Sequence, residues 1–577
     1  MHTRRVLVFG DDTRSFLAIV RSLGRRGIVV DAAASNFRSP ALRSRYIRAI
    51  HELPPWMGDG TEWLDTVLQL LSLATYDLVI PCDETTLLPL QKHRAELSEL
   101  TQLAIPDDRS ITILFDKHET RELATQVHVR VPLGRLTSVN DTADRLLAEL
   151  GAPVVLKPRR SYSLADLSAR AKVRIIDEPK RLRKALSECD FNETLAEEFF
   201  PGTGVGVSVL ASCGRVLQAF EHHRVREIAG ASFYRVSAAL TPELLEACKV
   251  MLAQLGYTGV AMFEFKQHKT KGWALLEINA RPWGSMPLPV ALGVDFPYQW
   301  YRLLVLGETT DPSNYRTGVY GRNLFPDLRN SMLEAEARHL SRIGTVRFIS
   351  GRMLELLRLL TRREVHDVFT MDDPRPGAFE FLEFAGVVVR RLGNLVPGAL
   401  ERRRRRSRTK VAKARVAEGE MHILFVCQGN ICRSPFAAAL LGTRCIDQSI
   451  AISSAGTLPK PGRPVPNLGI EAAAIHGIDL SGHRSVWLSR NMLRAASLLI
   501  VFDDITKAAV LDRYPDTKTP MILLGELAGV GQIGDPVDGD ARTFRQTYSR
   551  IQTSIGEMAA ILNREQPNVT VQAPSST

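Results

Sequence analysis

MHILFVCQGNICRSPFAAA, Met421 to Ala439, passes from an apolar, β-prone run (Ile423 to Val426) through a polar turn into an alanine-rich segment opened by Pro435. The apolar run reads as a buried strand, and proline ahead of alanines reads as a helix start. Between them, Cys427 to Arg433 forms a loop of phosphate size. Gly429 and Asn430 tolerate the left-handed backbone that turns successive N–H groups towards one point, and the helix adds the positive end of its dipole. A thiol at Cys427 loses its proton readily there, because the thiolate gains from the loop amides, the dipole and Arg433. Arg433 offers a planar fork matched to two phosphate oxygens, and the Ser434 hydroxyl can hydrogen-bond the sulfur.

At these residues the chain resembles the low-molecular-weight protein tyrosine phosphatases, over about 421–565. The resemblance implies an α/β fold of the phosphotyrosine-phosphatase I-like type, a central parallel sheet flanked by helices. It also implies that Cys427 is the nucleophile and Arg433 the phosphate clamp, with Gln428, Gly429, Asn430, Ile431, Cys432 and Ser434 completing the phosphate loop. Asp535-Pro536 matches the family's downstream general acid, and Ser454 in SSAGT and His483 in SGHRS match its loop-supporting residues. The implied reaction runs through a phosphocysteine, with Asp535 as acid and then base, and needs no cofactor. Cys432 is implied to protect Cys427 by reversible disulfide formation.

Two places depart from the family. Its phosphotyrosine-accepting members carry aromatic walls where this chain has Val537 and Asp538, and Leu458, Pro459 and Lys460. Ring stacking is weakened, so phosphate monoesters, on protein tyrosine or on other molecules, are the expected substrates. An arsenate reductase of this fold stays as an alternative; it needs a further thiol pair, and no cysteine follows Cys445.

The whole chain has 577 residues, enough for several domains, with 45% hydrophobic and 24% charged residues. VLVFG after Arg4 and Arg5 is too short for the core of a signal peptide, and no apolar run approaches a membrane span. Seven cysteines, an odd count, argue against a disulfide framework, so a cytoplasmic location is expected. A large local share of the net charge of +11 falls in ERRRRRSRTKVAKAR, Glu401 to Arg415, without the zinc-ligand spacing or aromatic-basic stripe of a nucleic-acid reader. It reads as a solvated linker, 396–420, between two modules.

Residues 1–110 alternate strand (Val6 to Phe9), helix (Arg14 to Leu23) and strand (Ile28 to Ala33), with a later strand Leu78 to Pro81. That is the rhythm of a parallel α/β layer. One glycine follows the first strand, so a Rossmann-like subdomain without its own cofactor is expected. Further on, Phe263 to Lys266 and Trp273 to Ile278 read as a hairpin turning through Lys269, Thr270 and Lys271. Reflection about the turn sets Glu264 opposite Glu277, with Asn279 on the same face. Opposed carboxylates repel unless a cation lies between them, and hard oxygen ligands suit Mg²⁺. Two solvated acids on an exposed hairpin are the other reading at this point.

The order Asp116-Lys117, VVLKP, EEFFPG, MFEFK and LEINARPWGS is similar to the ATP-grasp superfamily of carboxylate-amine ligases, particularly the carbamoyl-phosphate synthase ATP-binding-like group, over roughly 1–310. The resemblance implies a pre-ATP-grasp subdomain (1–110) and an ATP-grasp domain (111–310) that use ATP and Mg²⁺. Lys117 and Lys157 are implied to contact nucleotide phosphates, and Glu197, Glu198, Phe199 and Phe200 to line the adenine. Glu264, Glu277 and Asn279 are implied to hold Mg²⁺, Arg281 to meet a transferring phosphoryl group, and Arg226 to stand on the substrate side. Arg159, Arg160, Ser161, Tyr162 and Ser163 replace the family's glycine-rich loop. A ligase joins a carboxylate to an amine, neither named by the sequence; the alternative is a nucleotide-binding regulator of the phosphatase. Residues 311–395, with helical patterning at Met332 to Ile343 and Met353 to Leu360, are expected to form a helical appendage, and 566–577 a disordered tail.

Overall fold

Runs such as VLVF, LVIP and LLIV carry almost no polar alternation, the pattern of parallel strands covered on both faces. In the computed structural model they are the strands Arg5–Phe9, Leu78–Pro81 and Leu498–Val501, with every residue of these runs buried. The structure describes residues 4–563 apart from 166, 168–169, 229–230, 310, 338–346, 349, 353–354, 356–357, 359–362, 394–420, 445–449 and 538. Two compact units divide the chain, Met1–Val389 and Arg390–Thr577.

The first unit begins with a five-stranded parallel sheet in the order Ile47–Glu52, Val29–Ala34, Arg5–Phe9, Leu78–Pro81, Gln102–Leu103. The Asp12 carboxylate accepts the backbone N–H groups of Arg14, Ser15 and Phe16, so the first helix runs Ser15–Arg25. Two antiparallel sheets follow. One has four strands, in the order Gly134–Leu136, Thr194–Glu198, Val154–Pro158, Arg174–Ile176. The other runs Gly272–Asn279, Gly259–His268, Thr203–Ser212, Arg215–Ile228, Ala231–Ala238, Tyr320–Arg322, Glu364–His366, antiparallel except for its last pair.

The hairpin has the anticipated register, with Glu264 opposite Glu277, and a bulge after Glu264 produces it. Without that extra residue the ladder would set Glu264 against Leu276 and turn one carboxylate away.

Residues 311–395 differ from a purely helical appendage, since Tyr320–Arg322 and Glu364–His366 extend the large sheet. Helices among the described residues here include Leu324–Ala337, which starts earlier than the patterning suggested, and Arg375–Gly393, while 338–343 of the anticipated Met332 to Ile343 helix lie outside the described residues. Much of Met353 to Leu360 lies outside the described residues, as do linker residues 396–420 and the tail 566–577. The Asp372-Asp373 turn is structural: buried Asp373 accepts from Arg21 Nε at 2.9 Å, Ser44 Oγ at 2.7 Å and the Arg45 N–H at 2.9 Å.

The second unit is a four-stranded parallel sheet in the order Ala451–Gly456, His422–Cys427, Leu498–Val501, Met521–Leu523. Helices Arg433–Arg444 and Ala541–Asn563 pack together through Phe436 stacked on Tyr548, centroids 4.0 Å apart. Such a pair adds about 0.5–1.5 kcal/mol beyond its buried area. The Tyr548 hydroxyl donates to the Cys432 carbonyl at 3.1 Å, which ties this core to the loop after the central strand. Among the described residues no helix is long and apolar enough to cross a membrane.

Candidate active sites

The phosphate loop leaves the C-terminal edge of the central strand and closes into helix Arg433–Arg444. Asn430 makes the turn with φ at +51°, the left-handed region. Its backbone N–H points at the Cys427 sulfur, 3.2 Å away. Its side chain locks the turn by donating to Ser434 Oγ and Ser454 Oγ, both at 2.9 Å, and accepting from the Val486 N–H at 2.7 Å. His483 Nε2 lies 2.8 Å from the Asn430 carbonyl oxygen. Ser434 Oγ is 3.1 Å from the sulfur. Gln428 joins through its carbonyl, which accepts from the Leu458 N–H at 2.9 Å, and Ile431 packs part-buried on the core. Burial pushes the Cys432 thiol well above its ordinary range, so Cys432 stays protonated.

Arg433 is fully buried. Its Nη1 donates to Asp503 and to the Ile533 carbonyl, and its Nη2 to Asp535 at 2.5 Å. Burial works against its charge, and Asp535, Cys427 and Asp503 outweigh that, so the guanidinium holds its proton more tightly than usual. The Nε is buried without a hydrogen-bond partner among the described residues. One edge of the guanidinium is thus anchored, and an unsatisfied donor remains, the arrangement an anion completes.

Asp503 escaped the sequence reading. It caps helix Asp504–Arg513 through the Thr506 N–H at 2.6 Å while gripping Arg433. An acid at the end of the apolar run LLIVF, in a strand parallel to the loop's own, is the signal that could have found it. Arg463 was also missed: its Nη2 donates to the Gly429 carbonyl at 3.0 Å.

In the first unit a cavity of about 360 Å³ is lined in part by Lys117, Ser161, Glu277, Asn279 and Arg281. Lys117 Nζ donates to the Pro158 carbonyl at 3.2 Å and Ser161 Oγ at 3.1 Å; burial lowers its affinity for a proton, against the pull of Glu277. Arg281 spans both oxygens of Glu84, at 2.7 and 2.9 Å, and donates to Asn279 Oδ1 at 3.1 Å. Asn279 Nδ2 donates to Glu264 Oε1 at 3.1 Å. Burial raises the Glu264 carboxyl, with Glu277 adding to the rise and Arg224, at 2.5 Å, opposing it.

The remaining residues anticipated for this site do not line the cavity. Lys157 pairs with buried Glu197 at 2.5 Å, and Arg121 donates to the same carboxylate at 2.9 Å. Glu198 accepts the Leu133 N–H at 2.9 Å, Phe199 is exposed, and Phe200 lies under the Arg130 guanidinium, 5.3 Å from it. Arg226 stands elsewhere. It is bound to Asp327 at 2.5 Å and Glu355 at 2.9 Å and lies over Tyr234. Bulges on either side of Arg226 divert it, while Arg224, two residues earlier, reaches Glu264.

Residues 422–568 match the family described as "Low molecular weight phosphotyrosine protein phosphatase", and 190–324 that described as "ATP-grasp in the biosynthetic pathway with Ter operon". Similar proteins include the probable low molecular weight protein-tyrosine-phosphatase EpsP of Ralstonia nicotianae, 35% identical over 23% of this chain and 90% of that protein. The low molecular weight protein-tyrosine-phosphatase Wzb of Escherichia coli is 30% identical over 25% of this chain and 97% of its own length. Among solved structures, N5-carboxyaminoimidazole synthetase from Staphylococcus aureus complexed with ADP has 16% identity and a TM-score of 0.46, covering 58% of this chain and 86% of that one. Through its C-terminal unit the chain belongs to the low molecular weight protein-tyrosine-phosphatase family, and an ATP-grasp ligase-like region precedes that unit.

Proposed function

We propose that the C-terminal unit hydrolyses phosphate monoesters, foremost protein phosphotyrosine, through a phosphocysteine on Cys427. The observation that carries this is the buried, unpartnered Arg433 Nε in a loop whose N–H at Asn430 already points at the sulfur. The Cys427 thiolate attacks phosphorus and the P–O bond to the leaving group breaks. Asp535 delivers its proton to that oxygen. Water then attacks the phosphocysteine, Asp535 takes the water's proton, and the S–P electron pair returns to sulfur as phosphate leaves. Arg433 holds the phosphoryl oxygens, and Asp503 and the Ile533 carbonyl keep its other edge in place. Full-length protein should hydrolyse a phosphotyrosine peptide, and Cys427→Ser should not; retained turnover in that variant overturns the reading.

For the first unit the proposal is a carboxylate-amine ligase using ATP. The residues suit a nucleotide phosphate and its cation: Glu264, Glu277 and Asn279 converge on one face, Lys117 is buried beside Glu277, and the cavity falls within the usual range for small-molecule sites, about 300–1,000 Å³. Glu264, Glu277 and Asn279 would hold Mg²⁺, whose part when bound is to neutralise phosphate charge. Lys117 binds phosphate oxygens, and Arg281, released from Glu84, orients the carboxylate that receives the phosphoryl group. An amine then displaces phosphate from that carboxyl carbon. A second reading, a nucleotide-binding regulator, is favoured by the internal partners that Arg281 and Glu264 already have in Glu84 and Arg224. ADP formed from ATP only with a particular acid and amine supports the ligase; ATP bound without ADP from any pair supports the regulator. The protein in both arms is Cys427→Ser, which keeps the phosphatase from obscuring the result.

A further inference from the structure

The phosphatase pocket is bordered by two short segments braced on each other and on the loop. In the first, Leu458 N–H donates to the Gln428 carbonyl at 2.9 Å and Arg463 Nη2 to the Gly429 carbonyl at 3.0 Å. In the second, His483 Nε2 meets the Asn430 carbonyl and Val486 N–H meets Asn430 Oδ1. Arg463 and Ser485 exchange backbone and side-chain bonds at 2.9 and 3.0 Å, Ser485 Oγ donates to the Lys460 carbonyl at 2.8 Å, and Pro464 bridges Arg484. The border is therefore fixed in place before a substrate arrives.

Two guanidiniums stand on it, and their partners differ from those of Arg433, Arg490 and Arg513, while resembling those of Arg550, which donates to the Val530 and Gln532 carbonyls. Arg433 is paired with Asp503 and Asp535, and Arg490 with Asp516. Arg513 lies over the Trp487 ring at 3.8 Å. By contrast, Arg463 donates to the carbonyls of Gly429 and Lys460, and Arg484 to those of Ser481 and His483. Among the described residues no carboxylate pairs with either. A carbonyl satisfies a donor without cancelling its charge, so both keep a full positive charge beside the phosphate loop. Leu458 on the first segment and Val486 on the second are 43% and 45% exposed and carry no ring.

We propose that this border selects phosphotyrosine in an acidic segment of polypeptide, with Arg463 and Arg484 meeting Asp or Glu side chains flanking the phosphorylated residue. The inference rests on the phosphatase reading above. Charge supplies here the selectivity that ring stacking cannot: a flat aromatic wall grips the tyrosine itself, whereas two fixed cations grip its neighbours. Exposed ion pairs are individually weak, so two of them raise kcat/KM about three- to tenfold, through KM. Salt screens them, with a Debye length of about 10 Å at 0.1 M falling to about 3 Å at 1 M.

The test uses the full-length protein with two phosphotyrosine peptides of equal length, one flanked by Asp and Glu and one by Ser and Ala, and with p-nitrophenyl phosphate. The expected result is a three- to tenfold preference for the acidic peptide at low salt, shrinking towards one in 1 M NaCl. In Arg484→Glu the preference should fall to one or reverse, the neutral peptide serving as the internal standard in the same preparation. Equal kcat/KM on both peptides in the wild type, or a preference untouched by salt, overturns the proposal while leaving the phosphatase in place. Failure to hydrolyse p-nitrophenyl phosphate removes the phosphatase reading itself.

Discussion

Replacing Asn430 by alanine should do more damage than its small size suggests. The side chain makes three hydrogen bonds of 2.7–2.9 Å, to Ser434, Ser454 and Val486, all of which vanish. At about 0.5–1.5 kcal/mol each, they amount to roughly 1.5–4.5 kcal/mol of support for the closed loop. Alanine at φ +51° adds about 1 kcal/mol of backbone strain that asparagine tolerates better. Phosphate binds only the closed loop, so a smaller closed population lowers apparent affinity in proportion. A loss near 3 kcal/mol corresponds to about a hundredfold or more in kcat/KM. Asn430→Gly separates the contributions: glycine loses the same bonds without the strain, and should recover about fivefold over alanine. The assay is p-nitrophenyl phosphate hydrolysis, with inhibition by inorganic phosphate as an independent reading of loop closure. If Asn430→Ala stays within threefold of wild type on both, Asn430 is not what holds the loop closed.

Asp535→Asn should slow esters with poor leaving groups, such as phenyl phosphate, far more than activated ones such as p-nitrophenyl phosphate, because only the former need a proton at departure. Equal slowing excludes it as general acid. Asp503 tests pH linkage: despite burial, the Arg433 guanidinium holds its carboxyl below the ordinary range. A depressed carboxyl contributes stability that is fully present above its unfolded pKa, about 4, and is lost as pH falls through the folded value. The stability advantage of wild type over Asp503→Asn, read from urea midpoints, should therefore be constant from pH 7 to 5 and shrink below about pH 4. An advantage that persists unchanged at pH 3 contradicts the pairing.

The sequence pattern went furthest where periodicity alone decides a side chain's direction. The strands Val6 to Phe9, Ile28 to Ala33, Leu78 to Pro81 and Ile423 to Val426 were legible as short apolar runs, and the shared face of Glu277 and Asn279 from the period of two. The opposition of Glu264 to Glu277, by contrast, arises only with the bulge after Glu264. Irregular backbone was not legible. A bulge leaves no mark in the hydrophobic pattern, and bulges beside Arg226 sent it to Asp327 and Glu355, so that Arg224 became the neighbour of Glu264. Partner choice over long separations was hidden as well: Asp503 reads as an ordinary helix cap, and its grip on Arg433, 70 residues away, exists only once the two strands lie side by side. The strands Tyr320–Arg322 and Glu364–His366 were missed because three residues are too few to show a period.

The most direct measurement is acid quenching of the protein during turnover of a ³²P-labelled phosphotyrosine peptide, followed by mapping of the labelled fragment. Covalent phosphate on the fragment containing Cys427, absent from Cys427→Ser, is the predicted result. Steady release of phosphate with no label on Cys427 during turnover, and with Cys427→Ser still active, would contradict the account.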